Sequence, residues 1–282
     1  MAQLMRTAKR KPASKPANSK AKAASKASSK PSAKGERSTR ATQRADSIAS
    51  VNAAEVVEQL RSMGSQKVRD GMARFGITAD HAFGIPVGDI RALAKSLRGP
   101  RVPKDQADAA KRRNHALALD LWKTGWYEAR VLACFVDEPS LVTPAQMDRW
   151  ARDFDNWAIC DTASFHLFDK TPHAMTKVVE WAARDEEFVK RGAFAIIASV
   201  ALHNKQATDD IFTDALRLAE LHAGDARNFV KKAISWALRG IGARRPTLKP
   251  AVLMIAERLA ASPDRARRWI GKDVLREFNE KR

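Results

Sequence analysis

The chain has 282 residues and a formal net charge of +19, which suits one folded domain of ordinary size plus an appendage. Residues 1–50 hold 13 of the 51 Lys and Arg but only Glu36 and Asp46 of the 32 acids, a net of +11 that leaves +8 for the remainder. Every apolar stretch is cut by a charge well short of a membrane span, and Cys134 and Cys160 lack CxxC or histidine spacing, which argues against a zinc site or disulfide framework.

The first fifty residues are Lys, Ala, Ser and Pro with almost no apolar bulk, as in KRKPASKPANSKAKAASKASSKPSAK. Such a segment cannot bury enough surface to offset chain entropy, so a disordered basic tail is expected. No apolar core follows its first positive charges, which speaks against a signal peptide. A transit peptide is a minor alternative, disfavoured by the Lys bias and the lack of an apolar stripe. The tail is expected to hold nucleic-acid phosphates through counterion release, although RNA or an acidic protein would serve as well. Deleting residues 1–48 is expected to lower DNA affinity and its salt dependence in a salt titration while sparing lesion preference.

From about residue 51 the pattern becomes apolar residues at three- and four-residue spacing, rich in Ala, Leu and Arg, with little strand-like alternation. Gly and Pro punctuate it, and helices are expected over 53–64, 66–75, 88–98, 105–124, 126–136, 143–153, 156–168, 172–184, 187–203, 207–222, 226–243, 247–261 and 263–278. Short connections favour antiparallel neighbours, in a bundle or a solenoid. An internal echo selects the solenoid: Phe188-Val189-Lys190-Arg191 recurs as Phe229-Val230-Lys231-Lys232, 41 residues on, within the period of roughly 40–47 for helix-pair repeats of the HEAT class. Tyr127-Glu128-Ala129-Arg130 is a weaker relative. The expected fold is all-α, with HEAT-like helix-pair repeats over 51–282 forming a curved α-solenoid behind the tail of 1–50.

Trp157 and Asp161 stand four residues apart and so share one helix face. They read either as a core indole with a satisfied polar neighbour, or as a flat apolar wall beside a carboxylate that faces a cationic ligand. Lys190, Arg191, Lys231 and Lys232, with Arg239, Arg244 and Arg245 downstream, read either as a solvated face or as a basic strip that tracks phosphates. Trp236 lies one turn after Lys232. The other tryptophans and His166, His173 and His203 read as packing or loop residues. No phosphate-binding loop, nucleophile elbow or HExxH motif occurs, which disfavours nucleotide hydrolysis and redox cofactors.

Trp157-x-x-x-Asp161, then Phe188-Val-Lys-Arg191, then Phe229-Val-Lys-Lys-Ala-Ile-Ser-Trp236-Ala-Leu-Arg239 resemble the bacterial DNA alkylation-repair glycosylases of the AlkD-like family over about residues 55–278. The resemblance implies monofunctional excision of N3- or N7-alkylated purines from duplex DNA, without metal or nucleotide cofactor and without the base flipping usual among glycosylases. By the same resemblance Asp161 matches the catalytic carboxylate, Trp157 and Trp236 the aromatic walls, and Arg191 the basic residue of the site. Arg191 then either pins a phosphate or holds Asp161 ionised. Asn156 and Phe188 depart from the best-known branch, where larger aromatics stand. The protein is expected to act as a cytoplasmic, nucleoid-associated monomer that binds no membrane. The alternatives are a non-catalytic HEAT-repeat binder of damaged or branched DNA and a protein-binding scaffold.

Overall fold

The start of each helix is written locally. Asn52 accepts from the Glu55 backbone N–H at 3.0 Å while the Glu55 carboxylate reaches back to the Asn52 N–H at 3.4 Å, a reciprocal cap. Thr143 accepts from the Gln146 N–H just ahead of Pro144, and Asp264 accepts from the Arg267 N–H at 2.8 Å. The computed structural model describes residues 52–77 and 80–280. The basic tail expected over 1–50 lies outside them.

Thirteen α-helices occupy the described residues: α1 (Ala53–Met63), α2 (Gln66–Met72), α3 (Val87–Arg98), α4 (Lys104–Lys123), α5 (Tyr127–Val136), α6 (Pro144–Arg152), α7 (Trp157–His166), α8 (Ala174–Ala182), α9 (Glu187–His203), α10 (Asp209–Leu221), α11 (Asn228–Arg244), α12 (Lys249–Ala260) and α13 (Arg265–Asn279). No strand occurs among these residues. Each expected helix has its counterpart, with ends displaced by no more than three residues and 187–203 matched at both ends. Several begin two residues later than the periodicity suggests, because Thr208 and Asp264 lie in extended conformation as caps outside the helix. The segment expected to be helical to residue 75 closes instead in a 3-10 turn, Ala73–Phe75, which ends on left-handed Gly76.

The helices form a stack of pairs. α3, α5, α7, α9, α11 and α13 pack in succession as one layer, and α4, α8, α10 and α12 pack behind α5, α9, α11 and α13. Repetition is visible in the bonds between neighbouring pairs. Arg191 to the Phe229 carbonyl, Ser235 to Asp273, and Arg258 to Glu220 each join residues 38 apart. Phe188 and Phe229 fall at the same place in the first turns of α9 and α11, as the 41-residue echo requires. α9 lies at the centre, buried from Arg191 to Ala201. Its Gly192-Ala-Phe-Ala-Ile-Ile-Ala-Ser-Val-Ala201 run is apolar all round for that reason.

One loop pins the first helices to this stack. Glu128, in the first turn of α5, is fully buried, and its carboxylate accepts from the backbone N–H groups of Phe83 at 2.8 Å, Gly84 at 2.7 Å and Ile85 at 3.2 Å. Gly84 has φ +80, and a Cβ there would lie 2.3 Å from the Ser65 carbonyl oxygen, so only glycine fits. Phe83 stacks on Trp126 with ring centroids 4.3 Å apart, and the Tyr127 N–H donates to the His81 carbonyl at 2.8 Å.

Candidate functional site

Asn156 builds the start of α7. Its side-chain oxygen accepts from the backbone N–H groups of Ala158 at 2.9 Å and Ile159 at 3.1 Å, and the residue is 2% exposed. A tryptophan here would leave those donors without this cap. Asn156→Ala is therefore expected to lower stability by about 1–2 kcal/mol, read as a shift of the urea midpoint with unchanged slope. An unmoved midpoint would show that the cap contributes nothing.

One turn into α7, the Asp161 carboxylate meets Arg191 of α9 in a two-pronged pair: Nε to Oδ1 at 2.8 Å and Nη2 to Oδ2 at 2.7 Å. The third guanidinium nitrogen, Nη1, donates to the Phe229 carbonyl at the start of α11 at 2.7 Å. Arg191 is 1% exposed on its side chain and Asp161 18%. Arg191 is thus the partner of Asp161, and its depth leaves it no access to a phosphate. Of the two contacts open in the sequence, the structure contains the one to the carboxylate. Burial pushes the Asp161 carboxyl above the ordinary Asp value, and the Arg191 charge and hydrogen bonds pull it back.

Trp157 is one turn before Asp161 and partly exposed. Its indole N–H donates to the Phe75 carbonyl at 2.6 Å, and its ring packs on a small cluster of Met72, Ile77, Ala82 and Ala158. One turn after Asp161, Phe165 faces Trp236 of α11 across α9, with centroids 6.3 Å apart and planes 19° from parallel. The carboxylate therefore sits midway in a stripe, Trp157-Asp161-Phe165, with Trp236 beyond its far end. Phe165 is a site residue that the sequence reading passed over, although its i+4 spacing from Asp161 was available as a signal.

Four of the six other basic residues are engaged within the fold. Lys190 pairs with Asp225 at 3.4 Å and is 13% exposed. Lys231 lies over the Trp269 ring at 5.1 Å. Arg239 pairs with Asp273 at 3.7 Å and Glu277 at 3.4 Å. Arg245 donates to the Ala207 and Asn204 carbonyls and covers the Phe212 ring. Among the described residues, Lys232 and the exposed Arg244 have no acidic or carbonyl partner. Successive helix residues point about 100° apart, so the two members of each doublet meet different neighbours: Lys190 meets Asp225 while Arg191 meets Asp161.

The fold and this pair-and-stripe arrangement define a HEAT-like repeat protein with a charged, aromatic-flanked site. The signature of the DNA alkylation repair enzyme family matches residues 56–262, and the chain belongs to that family. One similar solved structure is described as belonging to "a new family of proteins related to the HEAT-like repeat DNA glycosylases with affinity for branched DNA structures". It is 16% identical, with a TM-score of 0.63 over 80% of this chain and 95% of that one. No curated protein matches the sequence significantly. Among the described residues no helix is long and apolar enough to cross a membrane.

Proposed function

We propose that the protein is a monofunctional DNA N-glycosylase acting on cationic N3- or N7-alkylated purines in duplex DNA, with Asp161 central and without drawing the base into a pocket. What supports this reading is a partly exposed carboxylate, held on both oxygens by a buried arginine and flanked along one face by aromatic rings. Alkylation leaves the purine positively charged. The bond from sugar C1′ to the purine nitrogen then breaks with its electron pair going to the base, which departs neutral, and the sugar becomes oxocarbenium-like. A fixed carboxylate stabilises that developing cation. Arg191 occupies one acceptor site on each Asp161 oxygen, and each keeps a second. Those sites orient the water that adds to C1′, and its proton passes to the Asp161 carboxylate and from there to solvent. Trp157 and Trp236 exclude bulk water and attract positive charge with their ring faces. Lys232 and Arg244 contact phosphates, and the protein works as a monomer.

The test is release of free 7-methylguanine and 3-methyladenine from methylated duplex, comparing the full chain with Asp161→Asn. Release is expected to fall by about 100-fold or more, with duplex affinity retained. Equal release by both proteins would remove Asp161 from this role. A second reading follows from the same pair: because both carboxylate oxygens are bridged by Arg191, the pair can serve as a strap between helices in a non-catalytic binder of branched DNA. That reading requires no base release by the wild type.

A further inference from the structure

Two buried carboxylates of the stack each hold a histidine, and they differ in one respect. The side chains of Asp137 and Asp169 are both fully enclosed. Asp137 accepts from His115 Nδ1, the Glu138 N–H and Gln146 Nε2, each at 2.7 Å, so both of its oxygens are satisfied. Asp169, in the 3-10 turn Phe168–Lys170 after α7, accepts from His203 Nδ1 at 2.5 Å on Oδ2, and its Oδ1 has no hydrogen-bond partner among the described residues. Burial pushes the Asp169 carboxyl above the ordinary Asp value, and the His203 hydrogen bond draws it back. This carboxylate therefore leans on one imidazole, which it orients and whose protonated form it neutralises.

His203 closes α9. With Nδ1 committed to Asp169, it keeps Nε2 for another partner, and its side chain is 32% exposed and lines a cleft of about 690 Å³. Its ring stands edge-on to Phe165 at 4.4 Å, and Phe165 also faces Trp236. Phe165 lies one helical turn, about 5.4 Å, beyond Asp161, so a single side chain separates His203 from the stripe that carries Asp161. The charged and titratable groups around it are Asp169 and Lys170 of the turn, His166 at the end of α7, Glu138 of the loop after α5 and Arg245 at the end of α11. Lys170 Nζ is engaged by the His166 carbonyl at 2.7 Å, and His166 is uncharged at neutral pH, its pKa brought down to about 4 by burial and the Arg91 and Lys170 charges. Histidine is the side chain suited to give and regain a proton near neutral pH.

We infer that His203, set by Asp169, is a general acid that extends excision from cationic lesions to neutral modified purines. The inference rests on the glycosylase reading above and adds a substrate class to it. A cationic purine leaves without help. A neutral one must take up a proton, because the C1′–nitrogen bond breaks with its electron pair moving to the base. His203 Nε2 gives that proton to purine N3 or N7, the ring nitrogens that duplex DNA presents at its groove edges. Asp161 stabilises the oxocarbenium-like sugar, water adds to C1′ and loses its proton through Asp161 to solvent, and the imidazole regains a proton from solvent.

The test is release of free base by the full chain, at stepped pH, from two duplexes: one bearing 7-methylguanine and one bearing hypoxanthine, a neutral purine. Wild type is expected to release both, with hypoxanthine release rising as pH is lowered and 7-methylguanine release not following it. In H203Q, its fold checked by thermal melting, the ratio of hypoxanthine to 7-methylguanine release is expected to fall about 100-fold and the rise toward low pH to vanish. D169N is expected to lower the same ratio, and H203Q/D169N to lower it no further than H203Q, because Asp169 acts through the histidine. No hypoxanthine release by the wild type, or an unchanged ratio in H203Q, would overturn the inference. So would equal loss of both bases, which marks a merely structural histidine. Release of 7-methylguanine alone leaves the glycosylase reading standing while this inference fails, and release of hypoxanthine alone does the reverse.

Discussion

Replacing Arg191 by methionine is expected to cost about 3–5 kcal/mol of stability and to abolish base release near neutral pH. The side chain is 1% exposed and joins α7 to α11 through Asp161 and the Phe229 carbonyl. Removal leaves a carboxylate with burial unopposed, so the Asp161 carboxyl rises further above its ordinary value of 3.8. The sign follows from proton binding. Between the unfolded value and the raised folded value the folded state holds more protons, so stability falls as pH increases through that window. The deficit is therefore expected to be smallest near pH 4 and to reach a plateau above the raised folded value, in urea titrations at stepped pH. A flat, pH-independent deficit would show that packing alone is lost. D161L/R191M is expected to recover much of the stability while remaining inactive, because an apolar pair of similar volume replaces two buried charges. Arg191→Lys restores little, since an ammonium cannot bridge both oxygens and the carbonyl together.

Glu128→Ala is expected to destabilise the protein by a comparable amount, about 3–5 kcal/mol, because three backbone donors lose their acceptor and the N–H groups of Gly84 and Ile85 are buried. Its reach extends to the site. The loop that Glu128 holds continues from the segment containing Phe75 and Ile77, which carries the Trp157 indole. Amide hydrogen exchange would show early loss of protection around residues 72–85 and at the start of α7. Protection unchanged in both places would separate the loop from the site.

The helices were legible because this sequence marks its own ends: Asn52 with Glu55, Thr143 with Pro144, and Asp264 act through neighbours a few residues away. The pairing of helices was legible through one echo, Phe188 and Phe229, since identical positions in successive repeats meet the same surroundings. Side-chain partnership was not. Asp161 and Arg191 were each named as candidates, but nothing in a linear pattern says that residues 30 apart touch on both oxygens, or that Arg191 lies too deep for a phosphate. The partners of Lys190 and Lys231, Asp225 and the Trp269 ring, were likewise not legible in the linear pattern. Glu128 was noticed only as part of a weak repeat, because a buried carboxylate is recognisable by the loop it binds, and that loop lies 43–45 residues upstream.

Arg191 touches α7 and α11 from its own place on α9, and this has a mechanical consequence. A stack of helix pairs behaves as a spring, each coil free to tilt on the next. A single guanidinium that rivets three consecutive coils removes that freedom at one point, so bending strain imposed by a bound partner is shed toward the two ends and the carboxylate keeps its aim.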